Sequence, residues 1–218
     1  MPDAAVRTFL FDLDGTLLDS IDLIMSSYRH TMEHHVGTVP PDDVWLAGLG
    51  TPLWKQFRAF TDDDAEIERM VETYRDHNLA HHDAMVRNYP GIRDVVTALS
   101  ERGVRLGIVT SKKREGSFRG LDLAALRPFF PVVVSADDVE RHKPDPEPVR
   151  LALHLLDADA ASAVFVGDSP HDMAAGRAAG VRTAAAMWGP FPRAWLEPHG
   201  PDYWLCSPTD LLSLPLSA

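Results

Sequence analysis

The chain has very little cysteine, no long apolar run and fewer basic than acidic residues. Its single cysteine, Cys206, excludes an intrachain disulfide. No apolar stretch approaches the roughly 20 residues of a membrane-spanning helix, and the segment that begins at Met1 lacks the basic and apolar regions of a signal peptide. We therefore expect a cytoplasmic protein that does not associate with a membrane.

The excess of acidic residues limits the possible partners. The 218 residues include 32 Asp and Glu against 21 Lys and Arg, a formal net charge of -11 at pH 7. Non-specific binding to nucleic acid requires a basic surface, so we expect no nucleic-acid partner. Anionic small molecules stay possible, because a metal ion and a few local cations reverse the sign of charge inside a pocket. The oligomeric state is left open.

Short apolar runs alternate with helical patterns through most of the chain. Strands are predicted at 8–10, 104–109, 132–134, 163–166 and 181–187, with a possible further strand at 203–205. Helices are predicted through Val95 and Leu99 and over 123–129, 146–156 and 171–179. This alternation predicts an α/β fold, a Rossmann-like doubly wound parallel sheet with helices on both faces.

The segment from 20 to 88 interrupts this alternation, because it contains helical patterns and no convincing strand. Residues 21–35 and 65–79 carry apolar residues at three- and four-residue spacings. An insertion after the first strand would stand over the carboxyl ends of the strands, where open parallel sheets bind ligands. We predict a core domain of residues 1–19 and 89–218 and an all-helical cap domain of residues 20–88.

Two aspartates follow the first predicted strand in Phe11-Asp12-Leu13-Asp14-Gly15-Thr16. Residues i and i+2 of a strand project to the same face, so Asp12 and Asp14 leave the strand end as neighbours. Adjacent carboxylates are costly unless a cation or a proton lies between them, and Gly15 allows a sharp turn. Ordinary turn chemistry also fits this tetrapeptide, whereas an EF-hand loop is excluded because Gly15 comes too early.

Polar residues also follow later predicted strands. Thr110 and Ser111 come after the second strand and suit a phosphate oxygen, although Thr-Ser after a strand is more often a helix cap. Lys143 follows the third strand in a segment stiffened by prolines. The first and fourth strands of a doubly wound sheet are adjacent. We therefore expect one cavity ringed by the acids Asp12, Asp14, Asp168 and Asp172, with Ser169, Thr110 and Lys143 beside them.

This order of motifs resembles the haloacid dehalogenase superfamily of phosphohydrolases, in the branch with a helical cap after the first motif. The resemblance covers essentially the whole chain. It implies an enzyme that transfers a phosphoryl group from a small phosphorylated substrate to an aspartate and then to water. The cofactor that it implies is Mg2+.

The resemblance also implies a role for each residue of the site. The implied catalytic residues are Asp12 as nucleophile, Asp14 as acid and base, Thr110 and Lys143. The implied phosphate ligands are Thr110, Ser111, Lys143 and Gly15. The implied magnesium ligands are Asp12, Asp14 through its carbonyl, and Asp168, with Asp172 and Ser169 behind them.

Within that branch the chain resembles the PpaX-type inorganic pyrophosphatases, and next the phosphoglycolate phosphatases. The likeness includes His81-His82-Asp83 and the run from Lys143 to Pro148. A second phosphoryl group would need further cations, and the candidates are Lys112, Lys113, Lys55, Arg58 and Arg87. Trp54 in the cap loop favours an organic leaving group instead, so pyrophosphate and a small phosphomonoester both stay open.

Ten histidines raise the alternative of a transition-metal site. The adjacent pairs His34-His35 and His81-His82 point to different faces of a helix, so we do not expect either pair to chelate. His82 or Arg87 could instead reach the substrate from the cap.

Three other functions share parts of this pattern. A phosphoacceptor receiver domain also gathers acids, Thr and Lys around magnesium, but the helical insertion and Asp14 count against it. A dehalogenase attacks carbon and does not need the acid Asp14. A phosphomutase shares every motif and stays open.

Overall fold

The apolar strands pair as a parallel sheet in the computed structural model, which describes residues 5–216. In chain order the strands are β1 (Thr8–Phe11), β2 (Leu18–Asp19), β3 (Arg87–Asn88), β4 (Arg105–Val109), β5 (Val132–Val134), β6 (Ala163–Gly167), β7 (Arg182–Ala186) and β8 (Tyr203–Leu205). The main sheet has the order β5-β4-β1-β6-β7-β8, and its neighbours all run parallel. The predicted α/β fold is confirmed, as is the adjacency of the first and fourth strands of this sheet.

Helices follow most strands and fill the segment between β2 and β3. In chain order they are α1 (Ile21–His35), α2 (Asp42–Gly48), α3 (Leu53–Phe57), α4 (Asp64–Met85), α5 (Ile92–Glu101), α6 (Arg114–Leu123), α7 (Glu147–Leu155), α8 (Pro170–Ala179) and α9 (Arg193–Leu196). Among the described helices, none combines the length and apolarity that a membrane crossing requires.

Side chains of β1 alternate between two apolar cores. Phe9 and Phe11 lie in a core that includes Leu99 of α5, whereas Leu10 lies in a second core with Val149 of α7. Both faces of the sheet are therefore buried, which explains why its strands read as apolar runs rather than as alternating patterns.

A short antiparallel ribbon marks where the chain leaves and re-enters the core. Leu18 of β2 pairs with Asn88 of β3, and α1 to α4 lie between them. The aromatic rings of Tyr28 and Trp45 stack 4.5 Å apart within this helical segment. Their apolar cluster extends to Ala185 of β7, so the helical segment packs directly on the end of the sheet.

The helix predicted over 123–129 is wrong, because the helix in this region is α6 and a short 3-10 turn covers Arg127–Phe129. Two glycines obscured the amphipathic pattern of α6. A Cβ at Gly120 would lie 2.6 Å from Cδ1 of Leu18, so a larger residue would require the Leu18 side chain to move. Close packing rather than helix propensity favours glycine at that position.

Candidate active site

The carboxyl ends of β1, β4 and β6 open into a cavity of about 790 Å³ between the sheet and helices α1 to α4. Residues of the strand ends and residues of the helical segment both line it. The predicted site residues that line it are Asp12, Asp14, Thr110, Ser111, Lys143, Asp168 and Ser169. Gly15 and Asp172 lie directly behind this surface, in contact with Asp168 and Lys143 respectively. The tertiary structure thus brings the predicted residues together at one end of the sheet.

Lys143 is the centre of a buried network of charges. Its Nζ donates to Oδ1 of Asp12 at 2.8 Å and to Oδ1 of Asp172 at 2.6 Å. Asp168 lies on the same cavity floor, and all four side chains are buried. An isolated buried charge is strongly unfavourable. The ammonium group therefore stabilises two carboxylates, whereas the third has no cationic partner in this network.

The residues of this network fit a divalent cation. Asp12, Asp168 and Asp172 place one carboxylate oxygen each within 4.8 Å of one another. The three carboxylates exceed the single ammonium by two negative charges, which a divalent ion would neutralise. Carboxylate oxygens are also the donors that hard cations such as Mg2+ prefer. Asp172 already accepts from Lys143 and Ser169, so Asp12 and Asp168 are the freer ligands.

Burial and like charge shift the pKa values of these groups. Burial raises the pKa of Asp12 to about 7 even though Lys143 opposes the shift. Burial and the neighbouring Asp172 raise the pKa of Asp168 well above its usual range. Burial by itself would lower the pKa of Lys143, but Asp12 and Asp172 raise it above its ordinary value. Lys143 therefore stays protonated, and its single positive charge does not balance the three carboxylates around it.

Asp14 lies in a different environment from Asp12. Ser20 Oγ donates to Asp14 Oδ1 at 2.6 Å, and Lys112 Nζ donates to the same oxygen at 2.9 Å. The side chain is partly exposed to the cavity. The two neighbouring carboxylates that leave β1 are therefore held apart by separate lysines, Lys143 for Asp12 and Lys112 for Asp14.

The end of β4 offers hydrogen-bond donors to the cavity. The Thr110 hydroxyl accepts from the Lys112 amide at 3.1 Å, which leaves its own hydrogen free to donate. Ser111 Oγ is buried without a hydrogen-bond partner among the described residues. Both residues line the cavity, so this strand end has unused capacity to bind an anionic oxygen.

The turn after β1 requires glycine at position 15. Gly15 has φ +87°, in the region that favours glycine, and its amide donates to Leu18 O at 2.9 Å. A Cβ there would lie 2.6 Å from Oδ2 of Asp168. The turn therefore brings the backbone close to the carboxylate that would bind a metal ion.

Helix α8 positions the remaining acid. Ser169 is its N-cap and forms a reciprocal capping box with Asp172, whose Oδ2 accepts from the Ser169 hydroxyl at 2.6 Å. The other oxygen of Asp172 faces Lys143. The start of this helix thus directs Asp172 toward the lysine.

Several contacts of the site were not predicted from the sequence. Thr16 Oγ1 donates to Asp168 Oδ1 at 2.7 Å, and Trp188 Nε1 donates to Thr16 O at 2.9 Å. Ser20 Oγ and Lys112 Nζ both donate to Oδ1 of Asp14. Motif position offered a signal for Thr16 and Lys112, because each directly follows a predicted site residue.

The helical segment contributes none of the predicted cations to the described lining of the cavity. Of the five described candidates, Lys112 and Lys113 line the cavity, whereas Lys55, Arg58 and Arg87 lie outside its lining. His82 is buried against α6 and also lies outside the lining. Trp54 does line the cavity and is 54% exposed. Arg75 of α4, which the sequence did not single out, lines it as well.

Known proteins match this chain over nearly its whole length. The family model described as haloacid dehalogenase-like hydrolase matches residues 9–186. The chain is 43% identical over 209 residues to the pyrophosphatase PpaX of Anoxybacillus flavithermus, with 96% of each chain covered. It is 40% identical over 214 residues to the pyrophosphatase PpaX of Bacillus pumilus, with 98% of each covered.

Solved structures share this fold over nearly their whole length. A putative haloacid dehalogenase-like hydrolase from Bacteroides fragilis superposes with a TM-score of 0.88 at 27% identity, covering 94% of this chain and 99% of the other. A putative phosphoglycolate phosphatase from Lactobacillus plantarum superposes with a TM-score of 0.86 at 27% identity, covering 96% of this chain and 99% of the other.

Proposed function

Because the chain belongs to the haloacid dehalogenase-like hydrolases, we propose that it hydrolyses inorganic pyrophosphate through an aspartyl-phosphate on Asp12, with Mg2+ as cofactor. The observation that carries the proposal is the Lys143-centred carboxylate network on the floor of a cavity that helices cover. The relatives named PpaX support the choice of substrate. A cytoplasmic location and the absence of a nucleic-acid partner stay predictions.

In the first step, a carboxylate oxygen of Asp12 attacks one phosphorus atom of the substrate. A new O–P bond forms on Asp12, and the bond from that phosphorus to the bridging oxygen breaks. The Asp14 side chain donates a proton to the departing oxygen. Ser20 and Lys112 both contact Oδ1 of Asp14, so Oδ2 is the oxygen that would carry this proton.

In the second step, Asp14 takes a proton from water, which attacks the phosphorus of the aspartyl-phosphate and regenerates the Asp12 carboxylate. Lys143 and the hydroxyl of Thr110 balance the charge on the phosphoryl oxygens, and the Ser111 amide assists. Mg2+ held by Asp12, the Asp14 carbonyl and Asp168 would neutralise charge and orient one phosphoryl oxygen. The helices that wall the cavity would limit the access of bulk water to the reacting phosphorus.

Of the cations that the sequence singled out for the second phosphoryl group of pyrophosphate, Lys112 and Lys113 suit it, since both line the cavity. Lys112 is bound to Asp14 in this structure. Movement of its ammonium to the substrate would release Asp14 for proton transfer. This exchange would couple binding of a second phosphoryl group to the acid step.

A small organic phosphomonoester is the second candidate substrate. Trp54 lines the cavity together with apolar residues of the helical segment, among them Tyr28 and Leu53. An indole ring favours contact with an organic leaving group rather than with a second phosphate. The similarity to a putative phosphoglycolate phosphatase points the same way.

The decisive experiment compares kcat/KM for pyrophosphate, phosphoglycolate and several sugar phosphates at saturating Mg2+. We expect pyrophosphate to give the highest value and to release two orthophosphates per turnover. A value ten times below that of any organic ester would overturn the substrate but not the phosphohydrolase. EDTA should stop the reaction and Mg2+ should restore it, whereas Ca2+ should inhibit because its higher coordination number disturbs the attack geometry. Full activity in EDTA would contradict the metal assignment.

A further inference from the structure

Tyr74 of α4 lines the cavity, and its hydroxyl has no hydrogen-bond partner among the described residues. The residue is only 7% exposed, and a buried tyrosine hydroxyl ordinarily finds a partner. Tyr28, its neighbour on α1, has one, because its hydroxyl donates to Oε1 of Gln56. The Tyr74 hydroxyl keeps some accessible surface, whereas Nε1 of Trp45 is fully buried without a partner. It is therefore available to a molecule in the cavity.

Aromatic packing holds the ring of Tyr74 in place. Its centroid lies 4.9 Å from that of Tyr28 and 6.3 Å from that of Phe57, with interplanar angles of 53° and 66°. Aromatic pairs favour such inclined arrangements, and rotation of the side chain would break both contacts. The hydroxyl is thus offered from a fixed position, which lowers the entropic cost of binding a ligand.

The hydroxyl of Tyr74 lies on the side of the cavity that contains Asp14. Burial raises the pKa of Tyr74 well above its usual range, and the neighbouring Tyr28 and Asp14 raise it further. Tyr74 therefore stays protonated, so it can donate a hydrogen bond but does not serve as the acid of the reaction. Asp14 is the residue that would protonate the departing oxygen. A donor within Coulombic range of Asp14 is consequently placed beside the departing group.

Other polar side chains of this wall are engaged or exposed. Gln56 donates to Thr51 O at 2.8 Å, and Asn78 donates to Ser27 Oγ at 3.3 Å. The charged residues of α4 in the wall are all exposed, namely Glu68, Glu72, Arg75 and Asp76. Water screens exposed charges, whereas a buried hydrogen bond is not screened in this way. Tyr74 is therefore the donor of this helix best placed to discriminate between ligands.

We propose that Tyr74 donates a hydrogen bond to an anionic oxygen of the departing group and so selects substrates in which that group carries such an oxygen. The inference rests on the function proposed above, in which Asp14 protonates the departing oxygen. In pyrophosphate the acceptor is an oxygen of the second phosphoryl group, and in phosphoglycolate it is a carboxylate oxygen. A phenyl group offers no acceptor of this kind.

The first test compares kcat/KM of the wild type and Tyr74→Phe for pyrophosphate, phosphoglycolate and phenyl phosphate at saturating Mg2+. Phenylalanine keeps the ring and its packing. We expect the values for the first two substrates to fall at least about tenfold, as for the loss of a hydrogen bond to a charged oxygen. The value for phenyl phosphate should change by less than about threefold. Equal losses for all three substrates, or no loss for the first two, would overturn the proposal.

Binding measurements separate this inference from the proposed function. Methylenediphosphonate has two phosphoryl groups, as pyrophosphate does, but its P–C–P bridge is not hydrolysed. In excess Mg2+, calorimetry should show its Kd to be at least about tenfold higher for Tyr74→Phe, with the Kd of orthophosphate unchanged. Thermal stability without ligand should not fall, because the deleted hydroxyl has no partner. An unchanged Kd for methylenediphosphonate would refute the hydrogen bond.

Tyr203→Phe is the matched control. It removes a hydroxyl that accepts from Arg182 at 3.0 Å, outside the cavity lining. We expect this variant to equal the wild type in all three kcat/KM values and in both Kd values. A wild type that hydrolysed none of the three substrates would overturn the proposed function, whereas the comparison of Kd values would still test Tyr74.

Discussion

At the scale of single residues, the site depends on an imbalance of buried charge. Asp12, Asp168 and Asp172 surround one lysine, Lys143, and none of the four side chains is appreciably exposed. Such an arrangement lowers stability unless a cation or a proton compensates it. The same deficit of positive charge suits a site that binds a metal ion together with a phosphorylated substrate.

We expect Asp12→Asn to abolish turnover while the protein stays folded. The amide nearly preserves the shape of the carboxylate, but it is a poor nucleophile and a poor metal ligand. We predict a decrease in kcat of roughly a thousandfold or more, as for other catalytic groups that act as a unit. Thermal unfolding provides the control for folding. A variant that retained a substantial fraction of the wild-type rate would rule out a covalent intermediate on Asp12.

The raised pKa of Asp12, about 7 against an ordinary 3.8, predicts a pH dependence of stability in EDTA. Between these values the folded state binds a proton that the unfolded state has lost. The free energy of unfolding must therefore decrease as the pH rises from about 4 to about 7. Each pKa unit corresponds to about 1.4 kcal/mol, so the total is on the order of a few kcal/mol.

Urea unfolding of the metal-free protein at several pH values measures this dependence. Asp12→Asn removes the titrating group, so its stability should vary less with pH than that of the wild type over the same interval. Mg2+ should stabilise the wild type more at pH 8 than at pH 5, because protons and the metal ion compete for the same oxygens. Parallel pH profiles of the two proteins in EDTA would contradict the burial of an ionisable Asp12.

At the scale of structural elements, the turn after β1 and the start of α8 determine the geometry of the site. The first brings Gly15 against Asp168, and the second turns Asp172 toward Lys143. Both elements depend on local sequence signals, a glycine with positive φ and a reciprocal capping box. Local structure therefore orients side chains whose partners lie on other strands.

Gly15→Ala tests the role of the turn. A Cβ would collide with the Asp168 carboxylate, so we expect Mg2+ affinity and kcat each to fall by at least about tenfold. Gly37→Ala is the matched control. Gly37 also has positive φ, at +73°, but a Cβ there would meet no atom within 4 Å. The control should lose about 1 kcal/mol of stability from backbone strain and keep its activity. Equal effects of the two substitutions would show that strain alone is responsible.

At the scale of the whole molecule, the helical segment covers the carboxyl end of the sheet and forms part of the wall of the cavity there. Its apolar cluster runs without interruption into Met173 and Ala185 of the core, so the two parts bury a common surface. The chemistry comes from the sheet, whereas much of the wall that would select a leaving group comes from the helices. Substrate preference should therefore respond to substitutions in the helical segment that leave the catalytic residues untouched.

Trp54→Ala tests this division. If the indole contacts an organic leaving group, its removal should lower kcat/KM for phosphoglycolate and sugar phosphates by about tenfold. The value for pyrophosphate should change by less than about threefold. Leu155→Ala, which removes an exposed apolar side chain outside the cavity lining, serves as the control. An equal loss for both kinds of substrate would indicate that Trp54 acts on the cavity as a whole.

Local patterns in the sequence predicted the α/β core and the residues expected at its strand ends. Period-two projection made Asp12 and Asp14 neighbours, and the alternation of short apolar runs with helices implied a parallel sheet whose carboxyl ends share one edge. These inferences succeeded because they depend on interactions within a few residues, or on the general rule that parallel strands align their ends. The prediction of a helix over 123–129 failed because Gly116 and Gly120 concealed the apolar pattern of α6.

The partners of the polar groups in the site, in contrast, depend on long-range packing. Thr16 and Asp168 are separated by 152 positions, Lys143 and Asp12 by 131, and Lys112 and Asp14 by 98. No local spacing encodes such pairs, because their distance depends on strand register and on the path of each loop. The stacked rings of His30 on α1 and His77 on α4 likewise arise from the packing of two helices that are far apart in sequence. The pattern of residues therefore predicted the chemistry, whereas packing selected the partner of each charge.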